Sequence, residues 1–167
     1  MTRPTRWSTT DLCDDHPEAQ VCEPVFRSYG GTSAFSGPIV TLKVFEDDTS
    51  VREAVGGPGE GQVLVVDGGG SLRCSLLGRD LAVAATENGW AGVVVFGCVR
   101  HVAELEALPI GVRALAAVPR TSERGTHPSV GGRTVVFAEV VFRAGEWLCA
   151  DRDGIIVLPA EPGPPTG

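Results

Sequence analysis

The sequence predicts one mixed α/β domain, and three observations carry that expectation. The 167 residues amount to about one domain. The middle of the chain alternates short apolar runs with amphipathic helical segments, and the last third changes to β-type runs separated by Gly and Asp turns. The expected architecture is a compact α/β domain with a central β-α-β-α-β unit of parallel strands and antiparallel strands at the C-terminal end. Residues 1–7 are expected to be a flexible N-terminus, 8–159 the domain, and 160–167 a Pro/Gly-rich disordered tail.

Each element has a local reason. Ser8, Thr9, Thr10 and Asp11 offer capping side chains before Leu12 and Cys13, and Pro17 soon interrupts, which predicts one short helix. Tyr29-Gly30-Gly31 is a turn. Residues 38–45 are β-branched and aromatic, a strand, and residues 46–50 can cap a helix over 51–55 that Gly56-Gly57-Pro58-Gly59 stops. Val63-Leu64-Val65-Val66 is a continuous apolar run, as in a strand buried on both faces, and Asp67 with three glycines follows. Residues 80–88 read as a helix with Leu81, Ala84 and Ala85 on one stripe and Gly89 as its stop. Residues 91–96 read as a second buried strand ending at Gly97. A second helix over 102–108 turns Leu105 and Leu108 inward and Glu104 and Glu106 outward, and 111–118 is a third strand. Runs 134–142, 147–150 and 154–158 are expected to pair antiparallel.

Composition excludes some functions. Fourteen Lys plus Arg against twenty-one Asp plus Glu give a formal charge of -7, which argues against direct nucleic-acid binding and against a polybasic membrane module. The five cysteines form no C-x-x-C pair, and no His stands at zinc-finger spacing, so reduced thiols fit better than a disulfide framework. Arg3 and Arg6 are not followed by an apolar run, so no secretory signal is read. The longest apolar stretch, 90–99, is about half of the ~20 residues a spanning helix requires. A soluble, cytoplasmic protein is expected.

Topology locates the chemistry. In right-handed βαβ crossovers the helix N-terminus and the C-terminal ends of both parallel strands meet at one sheet edge. That edge is expected to gather Asp67, the stretch Gly78-Arg79-Asp80-Leu81, and the loop Gly97-Cys98-Val99-Arg100-His101. Free amides at the helix start suit a carboxylate or phosphate, Arg100 can add a permanently charged clamp, and His101 is a candidate ligand or proton carrier. Duller readings stand beside these: Gly78 as a simple helix break, Arg100 as an ion-paired surface residue, His101 as a solvated histidine. Gly68-Gly69-Gly70 lacks the residues of a phosphate loop and reads as a turn, and His16 and His127 flank prolines without a role. No G-x-S-x-G elbow exists, and Lys43, the one lysine, sits in a strand, which leaves a Schiff-base mechanism poorly supported. A carbon–carbon lyase would more plausibly use a divalent metal as its electron sink.

These residues resemble a known family. Glu23-Pro24-Val25-Phe26, Phe35-Ser36-Gly37-Pro38-Ile39-Val40-Thr41, Val44-Phe45-Glu46-Asp47, residues 63–71, Asn88-Gly89-Trp90-Ala91-Gly92, Gly97-Cys98-Val99-Arg100 and Asp153-Gly154-Ile155-Ile156-Val157 occur in order. The chain is similar over 8–159 to the RraA-like family, which holds regulators of ribonuclease E activity and 4-hydroxy-4-methyl-2-oxoglutarate aldolases. The resemblance implies a fold similar to phosphohistidine-swivelling β/β/α domains, assembled as a homotrimer. It implies that amides at Gly78, Arg79, Asp80 and Leu81 hold a substrate carboxylate, that Arg100 binds substrate beside the reacting carbonyl, and that a divalent cation, Mg or Mn, stabilises the pyruvate enolate. The aldolases follow the arginine with a metal-holding aspartate. Here His101 stands at that metal position and Glu104 is retained, a swap expected to weaken or change metal binding.

Two functions follow as expectations. One is a metal-dependent lyase of small 2-oxo-dicarboxylates, of the aldolase or oxaloacetate decarboxylase type, releasing pyruvate. The other is a non-catalytic regulator that binds and inhibits ribonuclease E, its acidic charge suiting a basic partner segment.

Overall fold

The computed structural model describes residues 7–125 and 130–164. Most of the expected N-terminal segment, the last three residues of the expected tail, and His127 lie outside the described residues. In chain order the elements are α1 (Thr9–Asp15), β1 (Gln20–Val21), β2 (Arg27–Ser28), β3 (Phe35–Lys43), α2 (Thr49–Gly56), β4 (Val63–Asp67), β5 (Ser75–Leu77) and α3 (Arg79–Glu87). They continue as β6 (Gly92–Val99), α4 (Val102–Glu106), β7 (Gly111–Ala117), β8 (Val130–Gly131), β9 (Val135–Phe137), β10 (Val140–Phe142), β11 (Trp147–Ala150) and β12 (Ile155–Leu158).

Strands β3, β4, β6 and β7 lie side by side and parallel, joined by crossovers that carry α2, α3 and α4. Every step moves the same way across the sheet, so right-handed connections leave all three helices on one face. Val51 and Val55 of α2, Leu81, Ala82 and Ala85 of α3 and Leu105 of α4 share one buried cluster with Leu64, Val66, Val93 and Val95 of the strands. The opposite face packs Val63, Val65 and Val94 against Phe137 and Phe142 of the β9–β10 hairpin. Phe137 stacks on Phe96 at 4.8 Å and on Phe142 at 4.4 Å. Sandwiched between two apolar layers, β4 is buried at every residue, as its unbroken apolar run requires. Antiparallel β11, β12 and β1 extend the sheet beyond β3, and β2 closes the other edge on β7. The mixed α/β domain expected from sequence is present.

Three details differ from expectation. β6 does not end at Gly97 but runs on to Val99, because the short strand β5 pairs with the extension (Ser75↔Cys98, Leu77↔Val99) and supplies its backbone partners. Residues 134–142 form a hairpin rather than one strand: Ala138 and Glu139 both adopt positive φ, 50° and 61°, without the Asn or Gly that usually announces such a turn. The 38–45 strand begins earlier, at Phe35, whose ring is pressed against Gly92 and Gly111; a side chain at either glycine would overlap it.

All five cysteines are free, and burial pushes the Cys22 and Cys149 thiols up to about 12. Among the described residues no helix is long and apolar enough to cross a membrane. The α1 helix is capped by Ser8, whose hydroxyl accepts from the Asp11 N–H, and is tied to the β11–β12 turn by Asp151. Asp151 accepts from the Thr9 N–H at 2.8 Å, the Thr9 hydroxyl at 2.6 Å and the Asp153 N–H at 2.9 Å. Burial alone would raise its carboxyl, but these bonds, with one from Gly154, outweigh burial and hold it below its ordinary 3.8.

A depressed folded-state value means that the ionised form contributes stability above the unfolded value, lost as pH falls through the folded one. Asp151→Asn is therefore expected to destabilise the protein at neutral pH by roughly 1–2 kcal/mol. Thermal unfolding as a function of pH should show the gap to the parent protein closing below about 3.8, the ordinary value.

Candidate active site

The cleft is made where β5 and β6 end together. The Arg100 N–H donates to the Leu77 carbonyl at 3.0 Å, so the residues that follow, Gly78 on one side and His101 on the other, face each other across a gap. Gly78 is the N-cap of α3, in extended conformation (φ -127°, ψ -167°), and contributes no side chain to cap the helix. The Ala82 N–H closes the first helical bond onto the Gly78 carbonyl at 3.0 Å. The amides of Asp80 and Leu81, which a helix cannot satisfy internally, are left to the cleft. His101 turns the chain through a left-handed conformation (φ 57°) into α4, and its Nδ1 accepts the Arg79 N–H at 3.3 Å.

All six residues singled out from sequence line this one cleft: Gly78, Arg79, Asp80, Leu81, Arg100 and His101. Its volume, about 40 Å³, admits a carboxylate-sized group. Gly78 fits tightly beneath Arg100, since a Cβ there would stand 3.2 Å from the Arg100 Cγ and 3.1 Å from the His101 Nδ1. Among the described residues the Arg100 side chain makes no ion pair. Asp67, expected at the same edge, does not reach the cleft: its carboxylate is buried in its own loop, accepting the Gly69 N–H at 2.9 Å.

Three further charged residues line the cleft. Asp48, 5% exposed, accepts from the Arg124 Nε at 3.1 Å and pairs with the Arg52 Nη2 at 3.6 Å. The sequence marks Asp48 only as a helix cap, yet it makes no side-chain cap bond. Its i,i+4 spacing to Arg52 was the one available signal, and nothing local pointed to Arg124, which arrives from the loop after β7. Arg52, Arg79, Arg100 and Arg124 thus face two carboxylates, Asp48 and Asp80, which makes the cleft cationic within an acidic protein.

A divalent cation fits this donor set poorly. One nitrogen of His101 is already committed to the Arg79 amide, and the neighbouring Asp80 and Glu104 carboxylates lie 3.2 and 4.0 Å from the Arg79 guanidinium. Among the described residues no group of three His, Cys, Asp or Glu is placed to hold a metal ion. The expectation that His101 holds a metal therefore has no support in this geometry.

Larger cavities are present among the described residues. One of about 500 Å³, lined by Arg73, Arg120 and Glu123 among others, adjoins the cleft at Thr121. Another, about 620 Å³, lies by Arg113. Arg113 is buried and bonded to the Ser28 hydroxyl and to the Ser33 and Asp151 carbonyls, so it braces three segments of chain.

These features define an α/β domain with an arginine-lined cleft at the carboxyl ends of its parallel strands. The family profile described as RraA-like (Aldolase/RraA) matches residues 9–157, and the chain belongs to that family. A protein of Alkalilimnicola ehrlichii, provisionally named 4-hydroxy-4-methyl-2-oxoglutarate aldolase, is 55% identical over 152 residues, which cover 89% of this chain and 92% of that one. The RNA-processing inhibitor RraA from Thermus thermophilis superposes with a TM-score of 0.91 at 46% identity, covering 94% of this chain and 95% of that one. A Geobacillus kaustophilus protein described as an S-adenosylmethionine:2-dimethylmenaquinone methyltransferase gives 0.90 at 44% identity, covering 96% and 100%.

Gly78→Ala should leave the fold intact, because extended backbone tolerates a side chain, while pushing Arg100 and His101 outward by a few tenths of an ångström. Unfolding free energy is expected to change by less than about 1 kcal/mol. NMR resonances of Arg100 and His101 are expected to shift while those around Arg113 stay in place; unchanged Arg100 and His101 resonances would contradict the tight fit.

Proposed function

We propose that the protein is a carbon–carbon lyase of small 2-oxo-dicarboxylates, releasing pyruvate from 4-hydroxy-4-methyl-2-oxoglutarate or from oxaloacetate. The observation that carries this reading is the Arg100 guanidinium, without an ion pair among the described residues, sharing a cleft with the open amides of Asp80 and Leu81. The amides and the positive end of α3 bind the carboxylate next to the ketone. Arg100 then lies beside the ketone oxygen. Breaking the bond between C3 and C4, by retro-aldol cleavage with loss of the C4 hydroxyl proton to solvent or by loss of carbon dioxide, leaves the electron pair on C3 and delocalises it onto that oxygen, and a solvent proton added at C3 completes pyruvate. A fixed guanidinium is worth most where this negative charge develops. The Mg or Mn ion implied by family resemblance enters no step, because the donors present do not fit it. The names of relatives at about half identity support the lyase reading.

A second reading, a regulator that binds ribonuclease E, is supported by the likeness to the Thermus RNA-processing inhibitor and by the charge of -7. Under either reading the resemblance favours a cytoplasmic homotrimer. Pull-down against the ribonuclease across salt concentrations tests the regulator, and absence of any complex at low salt would eliminate its electrostatic form.

Pyruvate release coupled to lactate dehydrogenase, with oxaloacetate and the hydroxymethyl-oxoglutarate as substrates, tests the lyase. Arg100→Ala is expected to lower kcat/KM by about 10²–10³-fold. No turnover above the spontaneous rate, or full activity in Arg100→Ala, would refute it.

A further inference from the structure

We propose that the Arg79 guanidinium takes the place of a divalent cation in this chain: it stands between the carboxylates of Asp80 and Glu104, so the cleft binds its 2-oxo acid without a metal ion and gains a cation site only when Arg79 is removed. This deepens the lyase reading and rests on it. Apart from Asp48, which Arg52 and Arg124 already hold, three groups near the cleft could ligate a cation from one chain: the Arg79 guanidinium meets two of them and the Arg79 backbone N–H meets the third. Its Nε lies 3.2 Å from the Asp80 Oδ1, its Nη1 lies 4.0 Å from the Glu104 Oε1, and its backbone N–H is bonded to the His101 Nδ1 at 3.3 Å.

A cation bridging Asp80, Glu104 and His101 would need oxygens within about 2.0–2.6 Å of itself. It would then lie against the Arg79 guanidinium, a like charge. The exclusion does not come from the strength of the ion pairs. Arg79 is 50% exposed and Asp80 78% exposed, so each pair is weak. It comes from like charge occupying the space between the ligands. The charge that a metal would supply to the developing enolate is present instead as Arg100, which none of the cleft's carboxylates neutralises.

The test measures Mn²⁺ binding to the full-length protein by electron paramagnetic resonance, beside calorimetric titration with pyruvate in chelator. The parent protein should leave the free Mn²⁺ signal unchanged and bind pyruvate equally with and without chelator. Arg79→Ala should bind Mn²⁺ at least about tenfold more tightly than the parent, and adding Glu104→Gln should remove that gain, since Arg79→Ala frees that carboxylate and leaves the backbone N–H on the His101 Nδ1 in place. Arg79→Lys keeps the charge and should continue to exclude the ion. Mn²⁺ binding by the parent that His101→Ala abolishes would overturn the proposal, as would an Arg79→Ala variant that gains none or an Arg79→Lys variant that gains as much. Failure of the parent to bind pyruvate at all would instead count against the lyase reading, leaving the Mn²⁺ comparison to decide the role of Arg79.

Discussion

One backbone hydrogen bond, from the Arg100 N–H to the Leu77 carbonyl, holds the cleft together. It joins the ends of β5 and β6 and so sets Gly78 and His101 opposite each other. Without it the start of α3 and the Arg100 side chain would belong to separate loops. With it, a row of free amides and a guanidinium converge on a space little larger than a carboxylate. The bond is itself protected, because Leu77 and Val99 are almost wholly buried where β5 pairs with β6, and water has little access to compete for it.

The rest of the domain keeps this junction rigid. Strands β4 and β6 carry apolar side chains to both faces and are clamped between the three helices and the β9–β10 hairpin. Such two-sided burial makes the ends of the strands fixed points, on which loops can carry chemistry with little backbone freedom to lose. An acidic chain and a cationic cleft coexist in one molecule. The net charge of -7 belongs to the whole chain, while four arginines are concentrated in the one cleft.

Much of this was legible in the sequence. The apolar run 63–66, the helix over 80–88 and the strand from 91 determined the crossovers, and the crossovers alone brought Gly78–Leu81 to the same edge as Arg100. What could not be read has physical causes. β5 is three residues long and exists only because β6 offers it a partner, so no local pattern marks it. The Ala138-Glu139 turn uses residues that seldom adopt positive φ and is held by the packing of Phe137 and Phe142 around it. Asp48 and Arg124 lie 76 positions apart and meet only in the folded chain. Asp67 sat at the correct end of its strand, but a short carboxylate beside Gly69 satisfied itself locally before it could reach the cleft.

The central claim is that one carboxylate is held jointly by the α3 amides and Arg100. Nitrogen-15 NMR titration with pyruvate tests it most directly. The account predicts that the backbone amides of Asp80 and Leu81 and the side-chain Nε–H of Arg100 shift together with one midpoint, while amides around Arg113 stay still. Shifts centred on the Arg113 cavity, or amide shifts without any response from Arg100, would contradict it.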